Sequence, residues 1–387
     1  MSKDRKYKYV FFTRTFSVPP DGGTANSIYQ MMLSNFEETG QKSVIICEAQ
    51  NKAKLLQFKT YDQFDVIEIP SSPFRPRELY LDYFVNFLRE IEDTFSILDG
   101  ADLIISRHLY FSYALCKMMK KHVYVLASFY AIETHEFLSR SYTSLAKSLY
   151  LRFQARLQGR IERLVLLSEF PSVVVLSEMR KNELYSLYGV RSNVVRPGVH
   201  RTNIKKPKKG LAHSLLIHCR HEARKNLTNF LLEILEHTSI YENLKIDVIG
   251  HGPETRALHA IVEKEAFLRD RVIFHGFVDD IDMFYKGCDL LIFPTLQEGF
   301  GQVVQESMIR EVPVICYGDV QTPFSEFIRH GETGFLEQNA IKGSISKRVH
   351  AIYSSPEILE KVRKNLRIET FPTWVEFFEK LKSGAIQ

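Results

Sequence analysis

The chain of 387 residues lacks several things, and each absence excludes a class of protein. Its longest uncharged apolar runs, such as Val123 to Ile132, fall well short of the roughly 18 residues that a membrane-spanning helix requires, so nothing is expected to cross a bilayer. Nineteen glycines and 14 prolines are too few for a collagenous or low-complexity chain. The five cysteines (Cys47, Cys116, Cys219, Cys288 and Cys316) are odd in number, widely spread and without a C-x-x-C pair. They read as reduced filler and not as a disulfide framework. There is no Walker A pattern, no intact G-x-G-x-x-G, no zinc-type Cys/His spacing and no short internal repeat, so the usual nucleotide and metal fingerprints are missing. The N-terminus Met1-Ser2-Lys3-Asp4-Arg5-Lys6 leads into a strand-like Tyr7 to Phe12 and lacks a signal-peptide apolar core, so a cytoplasmic location is expected. A net charge of +5 is small for this length, and no nucleic-acid partner is expected.

What is present is an ordinary globular composition, 45% hydrophobic and 25% charged, at about twice the usual size of one domain. Short β-branched or aliphatic runs alternate with longer stretches of 3.6-residue apolar period, the pattern of an α/β fold with a parallel sheet and crossover helices. The first half predicts six strands, Tyr9 to Thr13, Ser43 to Cys47, Val66 to Ile69, Leu103 to Ser106, Val123 to Ala127 and Val173 to Leu176. The polar stretch Arg201 to Gly210 interrupts the pattern as a linker. The alternation resumes at Leu215 to His218, Lys245 to Ile249, Val272 to Phe274, Leu290 to Phe293 and Val314 to Cys316, then gives way to helix. Two doubly wound domains are therefore expected, with ligands at the C-terminal ends of their strands, in a cleft where the domains face each other.

The most informative run is Phe293-Pro294-Thr295-Leu296-Gln297-Glu298-Gly299-Phe300-Gly301-Gln302-Val303-Val304-Gln305-Glu306, read as a strand, a glycine-containing turn and a helix. Backbone N–H groups at such a turn are free to donate to hydroxyl or phosphate oxygens, and Gly299 and Gly301 allow close approach. Glu298 and Glu306, eight residues or about 2.2 helical turns apart, are expected to lean to one side, where two carboxylates suit paired hydroxyls on a sugar and a ribose.

These two glutamates, with E-G-F-G and P-V-I around them, resemble the E-x7-E signature of retaining GT-B glycosyltransferases, most closely glycosyltransferase family 4. Other segments agree in order: Gly22-Gly23, Arg196-Pro197-Gly198-Val199, Arg220 with Lys225, Gly250-His251-Gly252-Pro253-Glu254, and His330-Gly331-Glu332-Thr333-Gly334-Phe335. Phe371-Pro372-Thr373-Trp374 resembles the start of a last helix that crosses back to the N-terminal domain. The resemblance implies a GT-B arrangement with an acceptor domain at 1–197, a donor domain at 198–370 and a returning helix at 371–387. It also implies a retaining transfer of a sugar from a nucleotide-sugar, a UDP-sugar foremost, to a glycan or lipid-linked acceptor in cell-surface polysaccharide synthesis.

Carried over residue by residue, the resemblance gives Arg220 and Lys225 the donor diphosphate, with Arg224 able to substitute for either. Fixed cations there stabilise the charge that the departing diphosphate gains. Glu298 takes sugar hydroxyls, supported by the amides of Gly299, Phe300 and Gly301, and Glu306 takes the ribose. Gly22 and Gly23 fold over the diphosphate, Gly250 and Gly252 lie under the nucleoside, and Gly276-Phe277-Val278 flanks the base. No metal or other cofactor is expected, and Asp280-Ile281-Asp282 reads as a helix N-cap at Asp279 or Asp280 and not as a D-x-D metal motif. A sugar-nucleotide epimerase or hydrolase on the same fold, and a non-catalytic partner subunit, are the alternatives.

Two features depart from the family pattern and a third agrees with it. No histidine ends the strand at Val123 to Ala127, the nearest being His135; His108 matches a second position where the family often has histidine; and Glu311 stands where glycine is usual. Separately, Arg140, Lys147, Arg152, Arg156, Arg160 and Arg163 face a single acid, Glu162. Leu145, Leu149, Phe153, Leu157 and Ile161 recur every four residues beside them. Two readings stay open: an ordinary helix with its apolar stripe in the core, or a basic surface at 140–163 that docks on anionic lipid and makes the protein peripheral at the inner membrane face.

Overall fold

Aliphatic runs of four to six residues become strands buried on both faces, as a parallel sheet covered by helices demands. The computed structural model describes residues 7–20, 22–50, 55–71, 79, 81–129, 145–200, 213–236, 243–339 and 341–384. The chain forms two units, one of residues 1–198 with 372–387 and the other of residues 199–371. The proposed linker 201–210, His135 and Arg140 lie outside the described residues.

In the first unit the strands are β1 (Tyr9–Phe12), β2 (Ser43–Glu48), β3 (Gln57–Thr60), β4 (Phe64–Ile69), β5 (Leu103–Ser106), β6 (His122–Leu126), β7 (Pro171–Val175) and β8 (Asn193–Val194). Their order is β3-β4-β2-β1-β5-β6-β7-β8. All neighbours are parallel except β3 and β4. Among the described residues the sheet therefore has eight strands and not the expected six. The two additions are edges that no apolar run announces: β3 is the exposed Gln57-Phe58-Lys59-Thr60, tied by Lys59 to Glu68 at 2.6 Å, and β8 has two residues. The helices are α1 (Gly23–Thr39), α2 (Asp82–Phe95), α3 (Leu109–Lys117), α4 (Leu145–Leu166) and α5 (Glu178–Tyr188).

The second unit contains β9 (His213–His218), β10 (Leu244–Ile249), β11 (Val272–Gly276), β12 (Leu290–Phe293), β13 (Val314–Tyr317) and β14 (Phe335–Glu337), all parallel, in the order β11-β10-β9-β12-β13-β14. Its helices are α6 (Leu227–Ile234), α7 (Thr255–Lys264), α8 (Ala266–Arg269), α9 (Asp282–Gly287), α10 (Gln302–Ile309), α11 (Ser344–Ser354) and α12 (Pro356–Leu366). The expectation of helix alone after β13 is corrected by β14, a three-residue edge too short to register as a run. From β9 the chain winds outward through β10 and β11, then returns to the other side of β9 at β12. This is the order of a dinucleotide-binding sheet, and it opens a crevice between the carboxyl ends of β9 and β12.

The last helix, α13 (Trp374–Gly384), packs in the first unit. Thr373 and Glu376 form its capping box: the Glu376 N–H donates to Thr373 Oγ1 at 3.2 Å, and the Thr373 N–H donates to Glu376 Oε2 at 2.7 Å. Phe378 meets Tyr9 edge to face at 4.9 Å, and Trp374, Phe377 and Leu381 are buried. Gly198 is required where Trp374 crosses it, because a Cβ would overlap the Trp374 backbone.

Helix α4 buries only the C-terminal end of the stripe read from its sequence. Leu145 is 79% exposed, Leu149 58% and Phe153 48%, whereas Ala155, Gln158, Ile161, Glu162 and Val165 are buried. The reason is geometric. A strict four-residue repeat advances about 40° per step beyond 3.6-residue periodicity, so the line from Leu145 to Ile161 sweeps from solvent into the core. Arg152, Arg156 and Arg160 are also exposed, leaving apolar and basic side chains together on the N-terminal half of the helix.

Glu311, which replaces the glycine usual in the resembling family, adopts the left-handed conformation, with φ 57° just after α10. A non-glycine residue there costs on the order of 1 kcal/mol. The partly exposed ion pair of Glu311 with Arg367, at 2.9 Å, offsets some of it.

Candidate functional site

The loop after β9 and the turn after β12 meet at the crevice of the second unit. After His218 the chain makes a short 3₁₀ turn, Ala223–Lys225. The Arg224 carbonyl accepts from the Leu296 N–H at 2.9 Å and from Thr295 Oγ1 at 3.2 Å. The turn is fixed on its other side by the Glu298 N–H, which donates to the Gln321 carbonyl at 3.0 Å. These bonds bring Lys225 and Glu298, 73 residues apart in sequence, together. Lys225, only 6% exposed, forms a short ion pair with Glu298, and its ammonium stands 4.6 Å over the Phe293 ring. Arg224 Nη1 lies 3.9 Å from the other carboxylate oxygen of Glu298. Burial alone would raise the Glu298 carboxyl, but the charges of Lys225 and Arg224, the Lys225 hydrogen bond and the Gly299 N–H outweigh it, so the group sits below the ordinary glutamate value. The site thus presents an ionised carboxylate flanked by two cations.

Arg220 is placed differently from Lys225. Its side chain is 63% exposed and pairs with Glu222 at 3.2 Å; Glu222 also pairs with Arg224 at 2.8 Å. Arg224, not Arg220, is therefore the second cation beside Glu298.

Helix α10 begins at Gln302, so Glu298 stands in the turn and Glu306 in the helix that follows it, the order read from the sequence. Their surroundings differ accordingly. Burial pushes the Glu306 carboxyl up to about 7; Arg310 opposes the shift and Asp282 reinforces it. Arg310 spends its guanidinium elsewhere, on Asp282 at 2.8 Å, on the Glu306 carbonyl at 2.9 Å and over the Tyr285 ring at 4.9 Å. Tyr285 in turn bonds His218 Nδ1 at 3.2 Å. This set behind Glu306 was not read from the sequence, although Arg310 stands one helical turn after Glu306.

Gly301 caps α10 with φ 80°, and a Cβ there would overlap the Phe324 ring. Gly299 lies in the turn beside Glu298. Phe300, expected to line the site, is buried and stacked on Phe327 at 5.4 Å; its ring anchors the turn, and only its backbone remains for a ligand. Gly250 and Gly252 have a packing reason for lacking side chains, since a Cβ at Gly250 would overlap the Cys219 carbonyl and one at Gly252 the His221 carbonyl. They let the loop after β10 run against the loop after β9. Val278 is half-buried against the core, while the neighbouring Phe277 is 64% exposed. Asp280 Oδ1 accepts the Asp282 N–H at 3.0 Å at the start of α9, the role read for it.

Gly22 and Gly23 belong to the first unit, at the beginning of α1, where Gly22 has φ 94°. His108 is buried there among Phe84, Tyr110 and Phe111. All five cysteines are free thiols; Cys116 is half-buried and the others are buried. No helix among the described residues is long and apolar enough to cross a membrane.

Residues 203–368 match the family described as Glycosyl transferases group 1. The capsular polysaccharide biosynthesis glycosyltransferase CapM of Staphylococcus aureus is 31% identical over 128 residues, 32% of this chain and 32% of that protein. The chain spans between 19% and 43% of the length of the curated relatives it matches in this way. Over 97% of the chain the fold is similar to sucrose-phosphate synthase of Thermosynechococcus elongatus, with 98% of that chain covered, a TM-score of 0.75 and 13% identity. HepE of Anabaena, solved in complex with UDP-glucose, is similar over 98% of both chains, with a TM-score of 0.72 and 16% identity. The second unit thus carries a Glycosyl transferases group 1 domain, in a chain whose two units have the GT-B fold.

Proposed function

We propose that the protein is a metal-independent, retaining glycosyltransferase of family 4 that moves a sugar from a UDP-sugar to a glycan or lipid-linked acceptor in polysaccharide synthesis. The observation that carries this is the buried Lys225–Glu298 pair, flanked by Arg224, at the switch point of a dinucleotide-type sheet. CapM supplies the polysaccharide context and HepE the UDP-sugar. In this reading Lys225, Arg224 and the exposed Arg220 bind the diphosphate and stabilise the charge it gains on departure. Glu298 accepts from sugar hydroxyls. Glu306, whose side chain has no hydrogen-bond partner among the described residues, accepts from the ribose. The leaving phosphate oxygen takes the acceptor's proton, so the protein contributes positioning and electrostatics and no general base.

The exposed Leu145, Leu149 and Phe153 beside Arg152, Arg156 and Arg160 support docking of α4 on an anionic bilayer, where a lipid-linked acceptor is found. Lys147 belongs to the same charge run, but its side chain lies outside the description.

The test is incubation with a labelled UDP-sugar and glycan or lipid-linked acceptors, with and without EDTA. Label should reach the glycan, at a rate that EDTA changes by no more than about twofold. Label that collects in an isomeric nucleotide-sugar would assign an epimerase instead, and an absolute requirement for added metal would contradict the metal-free mechanism.

A further inference from the structure

We propose that His221 is a positioning residue: held by Thr255 at the start of α7, it pins the loop that carries Arg220, Arg224 and Lys225 in its anion-binding shape. The proposal rests on the donor reading above for its consequence, and on the second unit's own geometry for its cause.

His221 is 1% exposed and gripped at three points. Its N–H donates to the His251 carbonyl at 3.2 Å, its carbonyl accepts from the Glu254 N–H at 3.0 Å, and its Nδ1 lies 2.9 Å from Thr255 Oγ1. The same Thr255 oxygen accepts from the Gly252 N–H at 2.9 Å. One hydroxyl therefore joins the loop after β10 to the loop after β9, and Gly252 has no side chain because His221 occupies that space. Downstream, the loop is held by the bonds from Leu296 and Thr295 to the Arg224 carbonyl. His221 is thus the upstream anchor of the segment whose downstream anchor is the Glu298 turn.

Burial, with His251 and His259 assisting, pushes the imidazole down to about 4, so the ring is neutral near pH 7. A neutral ring has one donor nitrogen and one acceptor. His221 Nε2 is buried and without a partner. If Nδ1 donates to Thr255, the bare Nε2 is left over and the half-buried Thr255 hydroxyl turns its hydrogen elsewhere. If Nδ1 accepts from Thr255, only the Nε2 hydrogen is left over, near the Phe274 ring at 6.2 Å between centroids. In either arrangement one Nε2 valence is left over, and the Thr255 oxygen bridges His221 Nδ1 and the Gly252 N–H.

The experiment compares wild type, Thr255→Val, Thr255→Ser and His221→Phe in the full chain by amide hydrogen exchange, and by calorimetric titration with UDP, GDP and ADP. Valine keeps the shape of threonine and removes the hydroxyl; serine restores it; phenylalanine keeps a ring against Phe274 and removes both nitrogens. The expected result is exchange across 219–226 faster by about fivefold or more in Thr255→Val and His221→Phe, with the β9 and β12 amides unchanged and Thr255→Ser near wild type. Affinity for the nucleotide that wild type binds should fall about tenfold in the same two variants and recover in the serine variant. Unchanged exchange in 219–226 would overturn the anchor. Faster exchange with unchanged affinity would overturn its positioning role. If wild type binds none of the three nucleotides, the donor reading fails, and the anchor still stands or falls on the exchange result.

Discussion

Replacing Lys225 with methionine while Glu298 stays in place should destabilise the second unit by about 3 kcal/mol, whereas replacing the pair together, Lys225→Met with Glu298→Leu, should cost less than half of that. Lys225 is buried and its ammonium is committed to Glu298 and the Phe293 face. Removing it leaves a mostly buried carboxylate, 16% exposed, without its nearest cation. Breaking a buried pair from one side costs roughly 3 to 5 kcal/mol, because the remaining charge is uncompensated. Arg224, 3.9 Å from Glu298, keeps the expected value at the low end. Removing both charges leaves no such penalty and only the loss of the local bonds. Denaturant titration followed by circular dichroism reads the difference. Equal losses for the single and double variants, or a loss below about 1 kcal/mol for Lys225→Met, would show that the pair is not buried as described.

The second large effect is a stability difference that depends on pH. The Glu306 carboxyl is raised from 4.5 to about 7 in the folded chain, chiefly by burial. Below the unfolded value both states carry the proton, and the group contributes equally to each. Between that value and about 7 the unfolded chain ionises while the folded one holds its proton, so stability falls as pH rises, and the loss is complete above the folded value. At about 1.4 kcal/mol per unit of difference, the full loss is of order 3 kcal/mol. Glu306→Gln cannot titrate. It should match wild type near pH 4.5 and exceed it by about 1 to 3 kcal/mol at pH 8. A difference between the two proteins that stays constant from pH 4.5 to 8 would contradict the account of Glu306 as a desolvated carboxyl. Its burial is also what makes it a natural acceptor for paired hydroxyls: a ligand would supply bonds that the protein does not.

The strands were legible in the sequence where burial on both faces made them continuous aliphatic runs. β5 and β12 have the expected ends, and β9 and β10 differ by one or two residues. The edges β3, β8 and β14 were not, because a short strand with one open side needs no apolar run. The glutamate pair and the glycine turn were legible as types and spacing. Their environments were not: that Lys225 and Arg224 meet Glu298 is set by the Arg224 carbonyl binding Leu296 and Thr295, contacts between residues 71 to 73 apart. The placement of Glu298 in the turn and Glu306 in the helix was legible, but the Arg310, Asp282 and Tyr285 set around Glu306 was not. In α4 a four-residue repeat looked like a stripe, and only the position of the core showed that its first half faces solvent. Gly250 and Gly252 were read as lying under the nucleoside, and the packing reason for their missing side chains, the neighbouring loop after β9, was not legible in the sequence.

The measurement closest to the central claim is a paired one on Glu298→Gln: the rate of sugar transfer from the donor, and the dissociation constant for the free nucleoside diphosphate. Glutamine keeps the shape of the side chain but weakens charge-assisted bonds to sugar hydroxyls, worth about 1.5 to 3 kcal/mol. The expected result is a transfer rate lower by about one to two orders of magnitude, with nucleotide affinity within about threefold of wild type. A wild-type transfer rate in Glu298→Gln, or a loss confined to nucleotide affinity, would contradict it.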